Sequence, residues 1–394
     1  MVVNLADRQI VNILAQDIKS DLALSDSQLG LLTGLAFGLV YVLAGLPLAW
    51  LADRANRARM IALMLAVWSV CTIACGLAAG FVGLFVARMG VGAGEGGAQS
   101  ACTALARDLF PRRGTTALAV VMAGNPVGSF VGFIAGGAIA GRWGWQAAFV
   151  AAGLPGLLLA AVVAAKVRDP RQAAENAAAG TFARELRAVL ARPRMQVLTV
   201  AVSASMLILY AVGAWLPAFF IRAHGLSTAE MGVYGALATG LCGGLGTAAG
   251  ALCDRLAARV PHIESLFTIL VTLAAVPLLL VAVMARDLEI ALLGYGVLNF
   301  AAFAFLAPAT RLIQDVVEPD QRALAFAACG GVGLLFSLGI GVPLIGWLSD
   351  LLMPDFGPRS PGVALAITLP LAALAATIAH AGLMRGGSPA TSVR

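Results

Sequence analysis

The chain has 394 residues, 60% of them hydrophobic and 12% charged, with a mean hydropathy of +0.91. A water-soluble domain carries about a quarter charged residues, so lipid must solvate most of this surface, which excludes ordinary soluble enzymes, disulfide scaffolds and disordered tails. The net charge of +6 needs no nucleic-acid partner, because the positive residues sort by loop.

A crossing helix needs about 20 apolar residues. Windows of that kind fall near 1–19, 27–52, 58–80, 82–106, 115–140, 145–166, 195–221, 228–252, 263–285, 288–312, 323–349 and 361–384, so the expected fold is an all-α membrane protein of twelve spans. The first is short and polar, with Asn4, Asp7, Arg8, Asn12, Gln16 and Asp17, and Met1 falls inside it as though upstream turns were missing. Alternating the loops from a cytoplasmic N-terminus puts nineteen of the 26 Lys and Arg on the cytoplasmic side, with Arg8 and Arg88 inside spans. Both termini are therefore expected in the cytoplasm of a multi-pass cell-membrane protein, a bacterial inner membrane suiting the pattern.

Residues 167–194 are the longest polar stretch, a connector between a six-span bundle at 1–166 and another at 195–394. Within it, 181–190 reads as a short amphipathic helix on the cytoplasmic membrane face, with Phe182, Leu186, Val189 and Leu190 beside Arg184, Glu185 and Arg187. The halves echo one another. Leu51-Ala52-Asp53-Arg54 follows the second span and Leu252-Cys253-Asp254-Arg255 the eighth; Arg107-Asp108 precedes the fifth and Gln314-Asp315 the eleventh. Parallel repeats of this kind belong to transporters whose halves rock about a midplane site.

Six plus six spans, with Asp53-Arg54-Ala-Asn-Arg57-Ala-Arg59 between the second and third, resemble the major facilitator superfamily, whose loop signature has this Asp-Arg-x-x-Arg form. Asp7-Arg8 in the first span, with Arg88-Met-Gly-Val-Gly-Ala-Gly-Glu95 in the fourth, resembles its Spinster branch, including bacterial members, which are associated with sphingolipid or lysolipid transport. Where the signature usually opens on Gly, Leu48 or Trp50 stands here. The resemblance implies a monomer working by alternating access without a cofactor, with Asp7, Arg8, Arg88 and Glu95 at the positions proposed for proton and substrate handling. It also implies a cytoplasmic latch of Asp53, Arg54, Arg57 and Arg59, which Asp108, Asp254 and Arg255 join.

The residues support the same assignment on physical grounds. An ionised side chain at bilayer depth costs about 2.5–3.5 kcal/mol, so Asp7, Arg8, Arg88 and Glu95 must face one another or water. Arg88, Gly92, Glu95 and Gln99 share one helical stripe, as do Asn4, Arg8, Asn12 and Gln16. Glu95 and Asp7 are the candidate proton acceptors. Arg8 and Arg88 keep their charge and suit an anionic headgroup, with Asn12 and Gln99 extending the binding faces. The competing reading is a permanent ion-pair network locking the first span to the fourth.

The second half has no charge near its span centres. Its polar groups are Ser203, Ser205, Tyr210, Tyr295, Asn299, Thr310 and Ser337, most of them suited to a backbone carbonyl, with Tyr210 and Asn299 the candidates for substrate contact. One charged half and one apolar half suit an amphipathic, lipid-like substrate of the sphingoid or lysophospholipid type, moved with protons across a bilayer. A proton-coupled multidrug exporter or organic-anion carrier is the alternative, and an uncoupled lipid-binding or scrambling protein a further one.

Gly124, Gly128, Gly132 and Gly136 recur every four residues, a spacing for close helix packing or for a hinge. Gly92-Ala-Gly-Glu-Gly-Gly97 has dinucleotide-binding spacing but follows no strand. The six cysteines and three histidines show no metal-ligand pattern, and no nucleophile–base pair suggests an enzyme.

Overall fold

The computed structural model describes residues 1–170, 182–256, 259–318 and 321–385, which are helical almost throughout, with no strand among the described residues. In chain order come α1 (Val2–Asp21), α2 (Asp26–Gly30), α3 (Ala36–Arg54), α4 (Arg57–Gly76), α5 (Phe81–Glu95), α6 (Ala98–Leu109) and α7 (Gly114–Lys166). Then follow α8 (Phe182–Leu190), α9 (Pro193–His224), α10 (Thr228–Gly235), α11 (Gly243–Ala251), α12 (Cys253–Leu256), α13 (Ile263–Met284) and α14 (Leu288–Ala304). The last are α15 (Leu306–Asp315), α16 (Arg322–Leu334), α17 (Val342–Phe356) and α18 (Ser360–Arg385).

Among the described residues, seven helical stretches are long and apolar enough to cross a membrane. Two of them exceed a single crossing, Thr116–Lys166 with 51 residues and Leu324–Arg385 with 62. The first is broken at Gly144, whose φ of 83° glycine adopts without a Cβ clash, at the boundary expected between 115–140 and 145–166. In the second, Gly357 has φ 51° and opens a short 3₁₀ turn. The expected span at 82–106 is interrupted at Gly96 and Gly97, so the stripe from Arg88 to Gln99 does not ride on one unbroken helix.

The repeat seen in the sequence has a local structural counterpart. A capping box at Ser25 and Gln28 opens α2, and one at Ser227 and Glu230 opens α10. Each satisfies backbone N–H groups that the first turn leaves without partners. Each helix then passes into a wider π-helical stretch, Leu31–Leu35 in one case and Ala236–Cys242 in the other.

The chain divides into two compact units. The first comprises Met1–Ala177 with Phe220–Gly240. Its backbone contacts centre on α7 lying along α1 and α4. The glycine stripe of α7 is packing surface. A Cβ on Gly132 would stand 2.6 Å from the Ala6 carbonyl oxygen and 2.8 Å from Ala6 Cα, and one on Gly136 would press on Ile10 and Ile13.

The second unit comprises Ala178–Phe219 and Leu241–Arg394. Met195, Leu198 and Val202 of α9 form its core with Phe305, Ala309, Ile313 and Cys329, and Val189 of α8 joins them at 1% exposure. The short helix expected on the membrane surface thus turns at least one apolar side chain into protein, where burial from water is already available. Arg192, just beyond it, donates to Gln321 Oε1 at 2.7 Å.

Gly132→Ala should lower stability by about 1–3 kcal/mol, since backbone rather than a flexible side chain must yield. Gly330→Ala, with nothing within 4 Å of its Cβ, should be neutral or mildly stabilising. Thermal unfolding of the two purified variants in detergent checks the contrast.

Candidate functional site

Two helices of the first unit, α1 and α5, bring the four predicted membrane charges together. Asp7 is 2% exposed, Arg88 2% and Glu95 0%. Arg8 Nε donates to Glu95 Oε2 at 2.7 Å, and the Arg8 side chain keeps 18% exposure. Its guanidinium carbon also stands 4.9 Å from the centre of the Phe37 ring and 4.6 Å from that of Tyr41. Arg88 lies 5.2 Å from the other partner in this stack, the Phe37 ring. One aromatic ring thus serves two guanidiniums, each attracted by its π face.

The glycines around Glu95 explain how helices carrying such bulk approach so closely. On Gly92 a Cβ would come 2.6 Å from the Phe37 carbonyl oxygen, and on Gly96 2.6 Å from that of Tyr41; on Gly94 it would meet the Trp68 backbone nitrogen at 2.7 Å. Gly92 and Gly96 therefore seat α5 against α3, and Gly94 seats it against α4. The apparent dinucleotide fingerprint is a helix-packing device.

Asp7 Oδ2 accepts a hydrogen bond from Thr72 Oγ1 at 3.3 Å. Its Oδ1, Glu95 Oε1 and Arg88 Nε are buried without a hydrogen-bond partner. Such atoms are uncommon in a buried network. Asn12 donates to Gln9 Oε1 on its own helix at 3.0 Å, and Gln99 is half-buried on α6.

The candidates of the second unit look inward to their own helices. Asn299, 1% exposed, donates to the Tyr295 carbonyl at 2.9 Å. Ser205, Thr310 and Ser337 each donate to the carbonyl four residues earlier. Tyr210 is half-buried on α9.

At the latch, Arg57 Nη1 donates to Asp108 Oδ2 at 2.5 Å, joining the start of α4 to the end of α6. The Arg57 backbone N–H donates to Asp169 Oδ2 at 2.7 Å. Asp169 escaped the sequence reading because it follows the sixth expected span as one charge in a polar run. Arg59 and Arg255 are exposed, and Asn56 caps α4 by accepting from the Arg59 N–H at 2.9 Å. The side chains of Asp53, Arg54 and Asp254 lie outside the described residues.

A second charge cluster was not anticipated. Asp26, fully buried, accepts from Arg222 through both oxygens at 2.7 and 2.8 Å and also pairs with Lys19. Asp26 carried no expectation from the sequence, since nothing in its spacing pointed to an arginine 196 positions away. Nearby, Thr228 donates to Asp17, and Trp145 Nε1 donates to Asp21 at 2.9 Å. Asp17, Asp21, Trp145 and Thr228 line an open cavity of about 530 Å³ that shares no residue with the Arg8–Glu95 site. No group of three or more potential metal ligands occurs among the described residues.

The Major Facilitator Superfamily model matches residues 1–330. The chain belongs to this superfamily. It is a membrane transporter by family and fold. An MFS-type efflux pump of Mycolicibacterium smegmatis is 32% identical over 384 residues, which are 96% of this chain and 88% of that protein. The Arabidopsis thaliana protein named "Probable sphingolipid transporter spinster homolog 2" is 25% identical over 352 residues, 84% of this chain and 72% of its own length. A crystal structure of a bacterial homolog to the human lysosomal transporter Spinster, inward-facing and unoccupied, superposes with a TM-score of 0.87 at 25% identity, covering 98% of this chain and 96% of that one. The Spinster resemblance carried by Asp7-Arg8 and Arg88 to Glu95 is thus matched in both sequence and structural relatives.

Removing Arg8 would leave Glu95 buried and uncompensated. Arg8→Ala should therefore cost about 3–5 kcal/mol, and adding Glu95→Gln should recover a large part of that loss. A double-mutant cycle on thermal stability reads the coupling.

Proposed function

We propose that this transporter moves an amphipathic, lipid-like molecule of the sphingoid or lysophospholipid type by alternating access, driven by protons that Glu95 and Asp7 take up and release. The observation that carries the reading is the Arg8–Glu95 pair set among unused valences at Glu95 Oε1, Asp7 Oδ1 and Arg88 Nε. A network serving only to hold helices together satisfies its buried polar atoms. Here two carboxylate oxygens can accept protons, and a guanidinium can accept another anion.

Protonation of Glu95 would weaken its charge-assisted bond to Arg8. Phe37 and Tyr41 then keep the Arg8 guanidinium in place while it turns to an anionic headgroup. Arg88, held by the same Phe37 ring, is the second cation for that headgroup, and Asn12 and Gln99 supply neutral contacts beside it. The polar side chains of the second unit mostly bond their own backbone, which leaves apolar surface suited to a hydrocarbon chain, with Tyr210 and Asn299 as its polar points. The Spinster relatives support a lipid-like substrate of this class.

A second reading has its own observation: the efflux pump of Mycolicibacterium smegmatis resembles this chain over almost its whole length, which favours export of drug-like amphiphiles through the same charged site.

Vesicles containing the purified protein and an imposed pH gradient separate these readings. Fluorescent lysophospholipid should move saturably and only with the gradient, and Glu95→Gln should reduce that movement to the level of empty vesicles while the protein still folds. Ethidium transport without lysophospholipid transport would select the drug exporter. Lipid movement indifferent to the gradient and to Glu95→Gln would remove the proton role.

A further inference from the structure

Asp7 and Glu95 are not equivalent carboxylates. Glu95 is bound by the Arg8 guanidinium at 2.7 Å, whereas Asp7 makes no ion pair and has as its hydrogen-bond donor the neutral hydroxyl of Thr72. One turn earlier on α4, Trp68 lies beside the same carboxyl group, 4% exposed, with its indole N–H unpaired. Asp7 Oδ1 is unpaired as well. A buried donor and a buried acceptor are therefore both unpaired at this carboxyl group.

The charged and titratable groups around Asp7 are Arg88 and Glu95 on α5, Cys75 on α4 and Arg8 on its own helix. The part of α7 packed on α1, from Gly124 to Gly136, brings no titratable side chain. Arg88 and Glu95 face it with opposite charges from one helix, and the neutral donors stand on another, α4.

We propose that Thr72 and Trp68 are positioning residues for Asp7: the Thr72 hydroxyl holds its ionised form, the Trp68 indole N–H is placed as a second donor to it, and together they set the pH at which it takes up a proton. Hydrogen bonds to a charged form stabilise that form over the neutral one. Neither residue touches substrate in this arrangement; both act through Asp7. The inference rests on the proton role assigned to Asp7 above, and its test keeps the two apart.

Infrared difference spectroscopy of the full-length protein in lipid vesicles can follow the protonated carboxyl band through a pH titration, with no transported molecule needed. Loss of one band in Asp7→Asn identifies the Asp7 signal. In Thr72→Val, which keeps the volume and removes the hydroxyl, the midpoint of that band should rise by about one pH unit, a tenfold change in proton affinity. Thr72→Ser should restore it, and Trp68→Phe should move it in the same direction. A midpoint unmoved in both Thr72→Val and Trp68→Phe overturns the positioning role while leaving Asp7 as a proton site. If Asp7→Asn removes no titrating band, the proton role of Asp7 itself fails, and this inference with it.

Discussion

The structure is organised by the cost of placing charge where lipid surrounds a helix bundle. Asp7, Arg8, Arg88 and Glu95 would each be expensive alone at that depth. Together they carry no net charge, and the pair that bonds directly, Arg8 with Glu95, does so at 2.7 Å. The aromatic rings of Phe37 and Tyr41 complete the enclosure, because a π face stabilises a guanidinium without adding charge or requiring water. The enclosure requires close helices, which explains the glycine content. Gly90, Gly92, Gly94 and Gly96 lack the Cβ atoms that would hold this segment away from α3 and α4.

Compensation is complete in charge and incomplete in hydrogen bonds. A static brace would be expected to close both accounts, since a half-satisfied buried network is less favourable than an apolar core. The unpaired atoms include two carboxyl groups and a guanidinium, side chains that can change partner. α4 links this site to the ion pair of Arg57 and Asp108. It begins at Arg57, bound to Asp108 and Asp169, and carries Thr72 about 22 Å further along at 1.5 Å per residue. The charged site and the contacts of Arg57 thus lie towards the two ends of one helix within the first unit.

The second unit follows a different economy. Its membrane-depth polar residues are mostly serine, threonine and asparagine, and Ser205, Asn299, Thr310 and Ser337 bond carbonyls one turn back on their own helices. Such groups need no partner helix and impose no charge on what lies beside them. The sequence repeat recurs in local detail, with a capping box and a π-helical stretch at α2 and again at α10, yet the two units are unlike in their chemistry. They differ in which one carries the ionisable chemistry.

Composition alone settled that this is a helical membrane protein, and the spacing of charge and loop placed most helix boundaries within a few residues. The reason is that hydrocarbon tolerates few backbone solutions, so apolar length maps almost directly onto a span. The loop signature and the Asp7-Arg8 and Arg88 to Glu95 motifs marked the family, and the depth of the four charges marked the site. Tertiary structure alone decided the pairings. Nothing in the spacing could say that Arg8 meets Glu95 while Asp7 meets Thr72, that Phe37 lies against two guanidiniums, or that Asp26 is bound by Arg222. Helical periodicity reports which residues share a face; which face of another helix stands opposite depends on packing between segments far apart in the chain, where glycines such as Gly92, Gly94 and Gly132 let backbones meet closely.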